Sequence, residues 1–422
     1  MKILLFGLGS RGDIEPLFSI GETLKEKEHD VVYVFPEQFR EMVELTNSTF
    51  YGFTSEFIEV LLESENSKTI TSRKGTLIKR IKSLFVLAKK SIRINKEVTL
   101  TQKEIIDKEK PNYVFFNQKC VYPIIWGIRN QNRSIFIHPF PCFLHPVKHH
   151  SFISFSGGGN YGKYLNLFSY KLQLFIFSLA IYYSTRSISK NEFKKITPKQ
   201  IRKHLITKTL SMYTVSSSLF EKPKYWNQNA KIIGFTERNK RTNWEPQEEL
   251  LRFLKYNSKQ KIVFITFGSI SNPNPKKITQ FIIDTISKHN IPAIINTSWG
   301  GLVKLENCSE NIYFTENIPY DWVFPKVHSV IHHGGAGTTH SAIKYGCSSL
   351  IIPHFIDQFY WNKVVAEKKL GPKGVSIKKL NATVFEKLLL DLLKNTEYKK
   401  NAMTFSNKLK KESKSVSFTN IN

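Results

Sequence analysis

The sequence predicts an α/β protein made of two Rossmann-like domains. Three observations predict it. Near the N-terminus an apolar run, residues 3–6, enters the glycine turn Gly7-Leu8-Gly9-Ser10-Arg11-Gly12-Asp13, then a helix, then a second apolar run at 31–35. That is a βαβ unit. Far along the chain the order returns: a short run at 329–331, a turn with Gly334, Gly335 and Gly337, a helix over 338–345 ended by Gly346, and a run at 350–352. The chain has 422 residues, enough for two separate cores. The expected division is a first domain over 1–235, a linker at 236–245, a second domain over 246–400 and a helical tail over 401–422.

Composition narrows the class. At 41% hydrophobic and 13% aromatic, the chain is folded rather than disordered. A net charge of +28 permits attraction to nucleic acid, anionic membrane or acidic substrates. No zinc-finger spacing or arginine-rich tract accompanies it, so no specific nucleic-acid partner is expected. Cys120, Cys142, Cys308 and Cys347 are far apart and form no CxxC pair, which suggests neither a disulfide scaffold nor a zinc site. The opening apolar run is too short for a signal peptide, and no uninterrupted run reaches transmembrane length. The expected location is cytoplasmic.

In the first half, Pro16 is placed near the start of a helix reaching about residue 27, with Leu17, Ile20 and Leu24 on one face. Asp13 has two readings. It satisfies orphan amides at a helix start, or it is a base at the carboxyl end of a strand. Residues 71–96 mix Leu77, Ile81 and Phe85 with Lys79, Arg80 and Lys89, a basic amphipathic segment that either packs on a domain or lies on anionic lipid. Strands are expected at 111–116 and 134–138, with His138 at a strand end facing the cleft. His145, His149 and His150 follow in a proline-bearing loop without acids, a poor metal site. Residues 156–160 are a glycine loop without the flanking strand and helix of a phosphate loop. Residues 165–183 are apolar and aromatic, suiting a buried helix, a pocket wall or a lipid-facing surface. Residues 187–204 are basic, and 211–215 read as the last strand of this domain.

In the second half, a strand at 261–267 ends in Gly268-Ser269. A helix over 275–288 and strands at 291–296 and 312–314 follow. The glycine turn after 331 offers close backbone approach and free N–H groups at a helix start, both suited to phosphate. It carries no dinucleotide-type GxGxxG and no Walker lysine. A nucleotide diphosphate held without either loop is the expected ligand. A last helix over 386–415 is expected to break near Glu397.

The stretch HHGGAGTTHSAIKYGCSSLIIPHFIDQ, from His332 to Gln358, resembles the donor motif of GT-B glycosyltransferases that use nucleotide sugars, above all the sterol glucosyltransferase and glycopeptide-antibiotic glycosyltransferase group. The GSRGD string with Pro16 resembles the N-terminal motif of the same group. The resemblance implies a GT-B fold, two Rossmann-like domains facing across a cleft, and an inverting transfer of a hexose to a lipophilic hydroxyl. It makes Asp13 the base and His333 the histidine at the diphosphate. Ser269, Gly335, Ala336, Gly337 and Thr338 line the phosphates, and Asp357 and Gln358 hold the sugar. Trp322 and Val323 lie by the nucleoside, with Trp322 equally readable as core. Ser10, Arg11 and Gly12 join His138 in the cleft, and the tail crosses back to the first domain. UDP-glucose is the implied co-substrate, with a TDP-sugar as its rival. No cofactor is held permanently and no metal is required. A peripheral contact with the inner face of an anionic membrane stays open. Two other classes remain: a non-catalytic nucleotide-sugar or membrane-binding module, and a nucleotide-dependent oxidoreductase, for which a GxGxxG is missing.

Overall fold

The computed structural model describes residues 1–53, 95–153, 159–186, 196–238, 244–268, 272, 274–297, 301–306 and 308–413. Ser269, almost all of the basic segment at 71–96, and parts of the stretches at 156–160 and 187–204 lie outside them. The chain forms two compact units. One holds residues 1–147, 164–214 and 223–231, and the other holds 148–163, 215–222 and 232–422.

In the first unit β1 (Lys2–Phe6), β2 (Asp30–Pro36), β3 (Thr49–Phe53), β4 (Tyr113–Phe116), β5 (Ser134–His138), β6 (Leu210–Tyr213) and β7 (Ala230–Ile232) form one sheet in the order β3-β2-β1-β4-β5-β6-β7. Neighbours from β3 through β6 pair in parallel. The order reverses at β1, which sits between β2 and β4. In open parallel sheets, ligands bind at such a reversal, beyond the carboxyl ends of the strands.

The second unit repeats the plan with β8 (Val263–Thr266), β9 (Ala293–Asn296), β10 (Ile312–Thr315), β11 (Ser329–His332) and β12 (Ser348–Ile351), in the order β10-β9-β8-β11-β12 and all parallel. Here the reversal lies between β8 and β11, where Thr266 is paired with His332. Both faces of this sheet are covered. Val263, Ile265 and Ile331 enter one apolar cluster, and Phe264, Ile294 and Val330 enter another. Side chains alternate faces along a strand, and double coverage explains why these strands read as unbroken apolar runs.

Two elements differ from expectation. The first helix spans Arg11–Lys25 and carries Pro16 inside it. Ser10 is extended, and its N–H donates to the Asp13 carboxylate at 3.0 Å. That cap starts the helix ahead of Pro16, which forgoes one helical hydrogen bond. β3 lies in a stretch without a strand signal, because its Thr49 and Gly52 break the apolar pattern. The C-terminal pair of helices, Ala382–Lys394 and Thr396–Ser413, divides at Asn395, beside the break expected near Glu397.

Candidate functional site

At the reversal of the first sheet, Asp13 gathers donors. Its Oδ2 accepts from the Ser10 N–H at 3.0 Å, the Ser10 hydroxyl at 3.2 Å and the Lys119 ammonium at 3.3 Å, and Gln118 Nε2 lies 3.4 Å from Oδ1. Lys119 and Gln118 follow β4, on the other side of the reversal. Asn117 ties the two loops together. Its Nδ2 donates to the Leu8 carbonyl at 2.8 Å, and its Oδ1 accepts from the Lys119 N–H at 3.2 Å. Gly9 has a φ of +123°, and a Cβ there would lie 2.3 Å from Asp13 Oδ2 and 2.7 Å from Lys119 Nζ. Only glycine allows this approach. Arg11 is spent on Glu15 at 2.8 Å, and Gly12 is exposed. The position of Lys119 was not visible in the sequence, since nothing local marks residue 119 as a neighbour of residue 13.

His138 departs from the expectation of a ring facing open space. It is buried at the end of β5, stacked on Tyr213 at 4.4 Å and against Phe136 at 4.0 Å. Burial, followed by His145, pushes its pKa well down. The ring is a neutral part of the core. Nor do the neighbouring histidines converge: His145 contacts the Tyr213 hydroxyl at 2.8 Å, while His150 holds its own neighbour's carbonyl, that of Ser151, at 2.7 Å.

In the second unit, β11 delivers His332 and His333 beside the end of β8. The His333 ring is flanked by two glycines. A Cβ on Gly268 would lie 2.8 Å from its Cε1, and one on Gly335 would lie 2.5 Å from its Nε2. Gly268 also has a φ of +61°. Burial, then His332 and His354, hold the His333 pKa well below the usual imidazole value. Its Nδ1 has no hydrogen-bond partner among the described residues. His332 accepts the Gly334 N–H at 3.1 Å and is held neutral by burial, with its pKa pushed down to about 3.

Behind His333 the helix Ala336–Lys344 begins at Gly335, with no side-chain cap and no acid in its first turn. Among the described residues, none therefore compensates the orphan amides and the positive end of the helix dipole. Gly337 is exposed, and a Cβ there would meet nothing within 4 Å. Thr338 is half-buried, and Thr339 turns inward, its hydroxyl on the Gly335 carbonyl at 2.9 Å. His340 anchors the helix: its Nδ1 donates to the Ala336 carbonyl at 2.7 Å and its Nε2 accepts the Ser216 N–H at 3.1 Å.

The loop after β12 holds Asp357 and Gln358. Asp357 is half-buried at the start of the helix Gln358–Glu367. Gln358 Oε1 accepts the N–H groups of His354 at 2.7 Å and Phe355 at 3.2 Å. Those bonds shape the loop and leave Gln358 its amide nitrogen to offer a ligand. Between them Ile356 has a φ of +50°, a strained conformation for a β-branched residue and one that clusters at ligand sites. Trp322 stands edge-on to Trp244 at 4.9 Å with the Lys326 ammonium 3.9 Å over its ring. Val323 is wholly buried in the core, so its side chain cannot reach a ligand.

Residues 3–115 fit the glycosyltransferase family 28 N-terminal domain, and residues 280–416 fit the C-terminal domain of the erythromycin biosynthesis protein CIII-like group. The two matched stretches fall in the first and second halves of the chain. A sterol 3-beta-glucosyltransferase of Arabidopsis thaliana is 27% identical over 90% of this chain and 61% of its own length. One from Eremothecium gossypii is 26% identical over 97% of this chain and 33% of its own length. The chain thus spans from about a third to three-fifths of the length of these relatives. Among solved structures, the glycotransferase of kitacinnamycin superposes with a TM-score of 0.69 at 12% identity, covering 98% of this chain and 95% of its own. The calicheamicin glycosyltransferase does so with 0.65 at 15% identity, covering 98% and 94%. These likenesses show the fold, two parallel-sheet α/β domains of the GT-B kind.

Proposed function

We propose that the chain transfers a hexose, glucose from UDP-glucose, to a hydroxyl of a lipophilic acceptor, with inversion at the anomeric carbon. The observation that carries this reading is the start of the helix Ala336–Lys344. Its amides lack a cap, Gly337 leaves the space above them open, and a half-buried histidine stands beside them. That is the chemistry of a diphosphate grip. Ser269 would add a hydroxyl, Asp357 and the Gln358 amide would hold sugar hydroxyls, and the backbone at Trp322 and Val323 would meet the nucleoside.

Asp13 would take the acceptor proton as the acceptor oxygen bonds to the anomeric carbon. The bond from that carbon to the phosphate oxygen breaks, and its electron pair leaves with the nucleoside diphosphate. His333 and the helix amides would stabilise the departing charge, so transfer is expected to persist in a chelator. Lys119 is a positioning residue in this scheme: its ammonium holds the same carboxylate oxygen as Ser10. A lipophilic acceptor would place the enzyme in the cytoplasm, at the inner face of a membrane.

The test is calorimetry with UDP, TDP and GDP in chelator, then transfer from UDP-glucose to a panel of lipophilic alcohols. TDP belongs in the set because a similar structure, a spinosyn rhamnosyltransferase, is complexed with it. Asp13→Asn should keep UDP binding and lose nearly all transfer. Lys119→Ala should lower kcat on the order of tenfold or more with UDP affinity unchanged, and Lys119→Arg should restore much of it. Absence of nucleoside diphosphate binding would overturn the reading, as would an Asp13→Asn protein that transfers normally.

A further inference from the structure

The helix Lys163–Arg186 is built inside out. Its buried positions include Asn166, Ser169, Ser178 and Thr185. Three hydroxyls are satisfied locally: Ser169 donates to the Asn166 carbonyl at 2.6 Å, Ser178 to that of Phe175 at 2.7 Å, and Thr185 to that of Ile181 at 2.7 Å. Most of the exposed positions are apolar. Tyr164, Leu165, Phe168, Leu172, Phe175 and Ile176 face outward, Tyr164 at 82% and Ile176 at 53% exposure, and Tyr183 continues the row at 64%. At 3.6 residues per turn these positions fall within about a third of the helix circumference. A surface helix of a water-soluble domain has the opposite pattern, and a contiguous apolar stripe of this kind marks an interaction surface.

Charge identifies what covers it. From Pro111 to Phe220 the sequence holds a single acid, Glu192, against fourteen lysines and arginines. Several of those cations border the stripe. Lys163, Lys171 and Arg186 are exposed on the helix itself. Arg202, from the neighbouring helix Pro198–Thr207, donates to the Ser178 hydroxyl at 3.1 Å and lies over the Phe175 ring at 5.3 Å. Lys199 and Lys203 of that helix are exposed as well. An apolar row rimmed by cations matches the boundary between anionic headgroups and acyl chains. The helix is long and apolar enough to cross a membrane. It lies flat instead: Ile181 is buried in the core of the first unit, with Leu174, Phe177 and Tyr182 packed against that core, and the inward polar row would be stranded in hydrocarbon.

We infer that this face of Lys163–Arg186 docks the protein in the plane of an anionic lipid bilayer, with Phe168 and Phe175 entering the acyl boundary. It deepens the membrane placement proposed above and rests on that reading for its purpose, but not for its test. The whole protein is mixed with vesicles of phosphatidylcholine alone, or of phosphatidylcholine with phosphatidylglycerol, without donor or acceptor, and sedimented. The wild type should partition onto the anionic vesicles, weakly onto the neutral ones, and less as salt is raised. Phe168→Glu with Phe175→Glu should lower the partition coefficient roughly tenfold or more, while circular dichroism and UDP binding stay unchanged. Equal partitioning of variant and wild type would overturn the proposal, as would a wild type that ignores anionic vesicles. A concentration-dependent dimer abolished by the same substitutions would assign the face to a second copy instead. Changed acceptor KM without changed vesicle binding would assign it to the acceptor. UDP binding and transfer to a soluble alcohol are measured separately, so failure of docking is distinguishable from failure of the glycosyltransferase reading.

Discussion

At the scale of single residues, His333 makes the sharpest prediction. A histidine beside a diphosphate invites the picture of a cation, yet burial, His332 and His354 keep this ring neutral in the free protein at ordinary pH. A bound diphosphate would favour the charged form and raise the pKa. Below that raised value the complex holds a proton that the free protein lacks, so UDP affinity should climb as pH falls. Calorimetry in two buffers of different ionisation heat reads the proton taken up, with His333→Gln as the blank for the nucleotide's own ionisation. Equal uptake by wild type and variant would make His333 a neutral hydrogen-bonding group only. Asp13 teaches the complementary lesson. Both of its sequence readings describe one geometry, because the carboxylate that caps Ser10 also faces Lys119. A cap alone would need no lysine.

At the scale of elements, the helix Ala336–Lys344 separates what stability wants from what binding needs. Glycine in a helix costs about 0.5–1 kcal/mol relative to alanine, and the structure offers no steric reason for Gly337. Gly337→Ala should therefore raise the unfolding midpoint slightly while weakening UDP binding, since the new methyl stands where the diphosphate would approach. Thermal melts with and without UDP check both halves, and unchanged UDP binding would remove this helix start from the site. Gly335→Ala should differ, because its Cβ collides with His333. These elements were legible in sequence because apolar runs and glycine turns are local signals. The strands 134–138 and the helix 275–288 lie where periodicity put them. The helix start at Arg11 was hidden by Gly12, which read as part of the turn, and by Pro16, which read as the start of the helix; the cap from Ser10 to Asp13 overrides both. Glu28 shows the same limit. It takes a φ of +62° where glycine is favoured, and the turn is preserved by hydrogen bonds at its flanks, Glu28 N–H to Lys25 and His29 N–H to Leu24. Lys119 and buried His138 were out of reach because long-range pairing of β4 and β5 with their neighbours decides them.

At the scale of the molecule, buried histidines set how the second unit should respond to acid. Besides His333, this unit holds three more neutral histidines around its glycine turn. Burial pushes His332 down to about 3, and His340 and His354 down to about 4, with carbonyl contacts at the last two opposing the shift. In an unfolded chain each would titrate near 6.5. Above that value neither state binds the proton, and the full stability is present. Below it the unfolded chain takes up protons that the folded unit refuses, so stability falls as pH drops from 6.5 toward the folded values. Each ring contributes a slope of about 1.4 kcal/mol per pH unit, and three together roughly 4 kcal/mol per unit at most. Against a typical domain stability of about 5–15 kcal/mol, that is enough to unfold this unit before most carboxylates titrate. Urea midpoints followed by tryptophan fluorescence should stay level above pH 6.5 and fall steadily below it. UDP at saturating concentration should move the whole curve upward, because a ligand of the folded unit alone stabilises it. A midpoint that stays level down to about pH 4 would mean that the folded unit accepts these protons, and the neutral histidine cluster around the glycine turn would have to be abandoned.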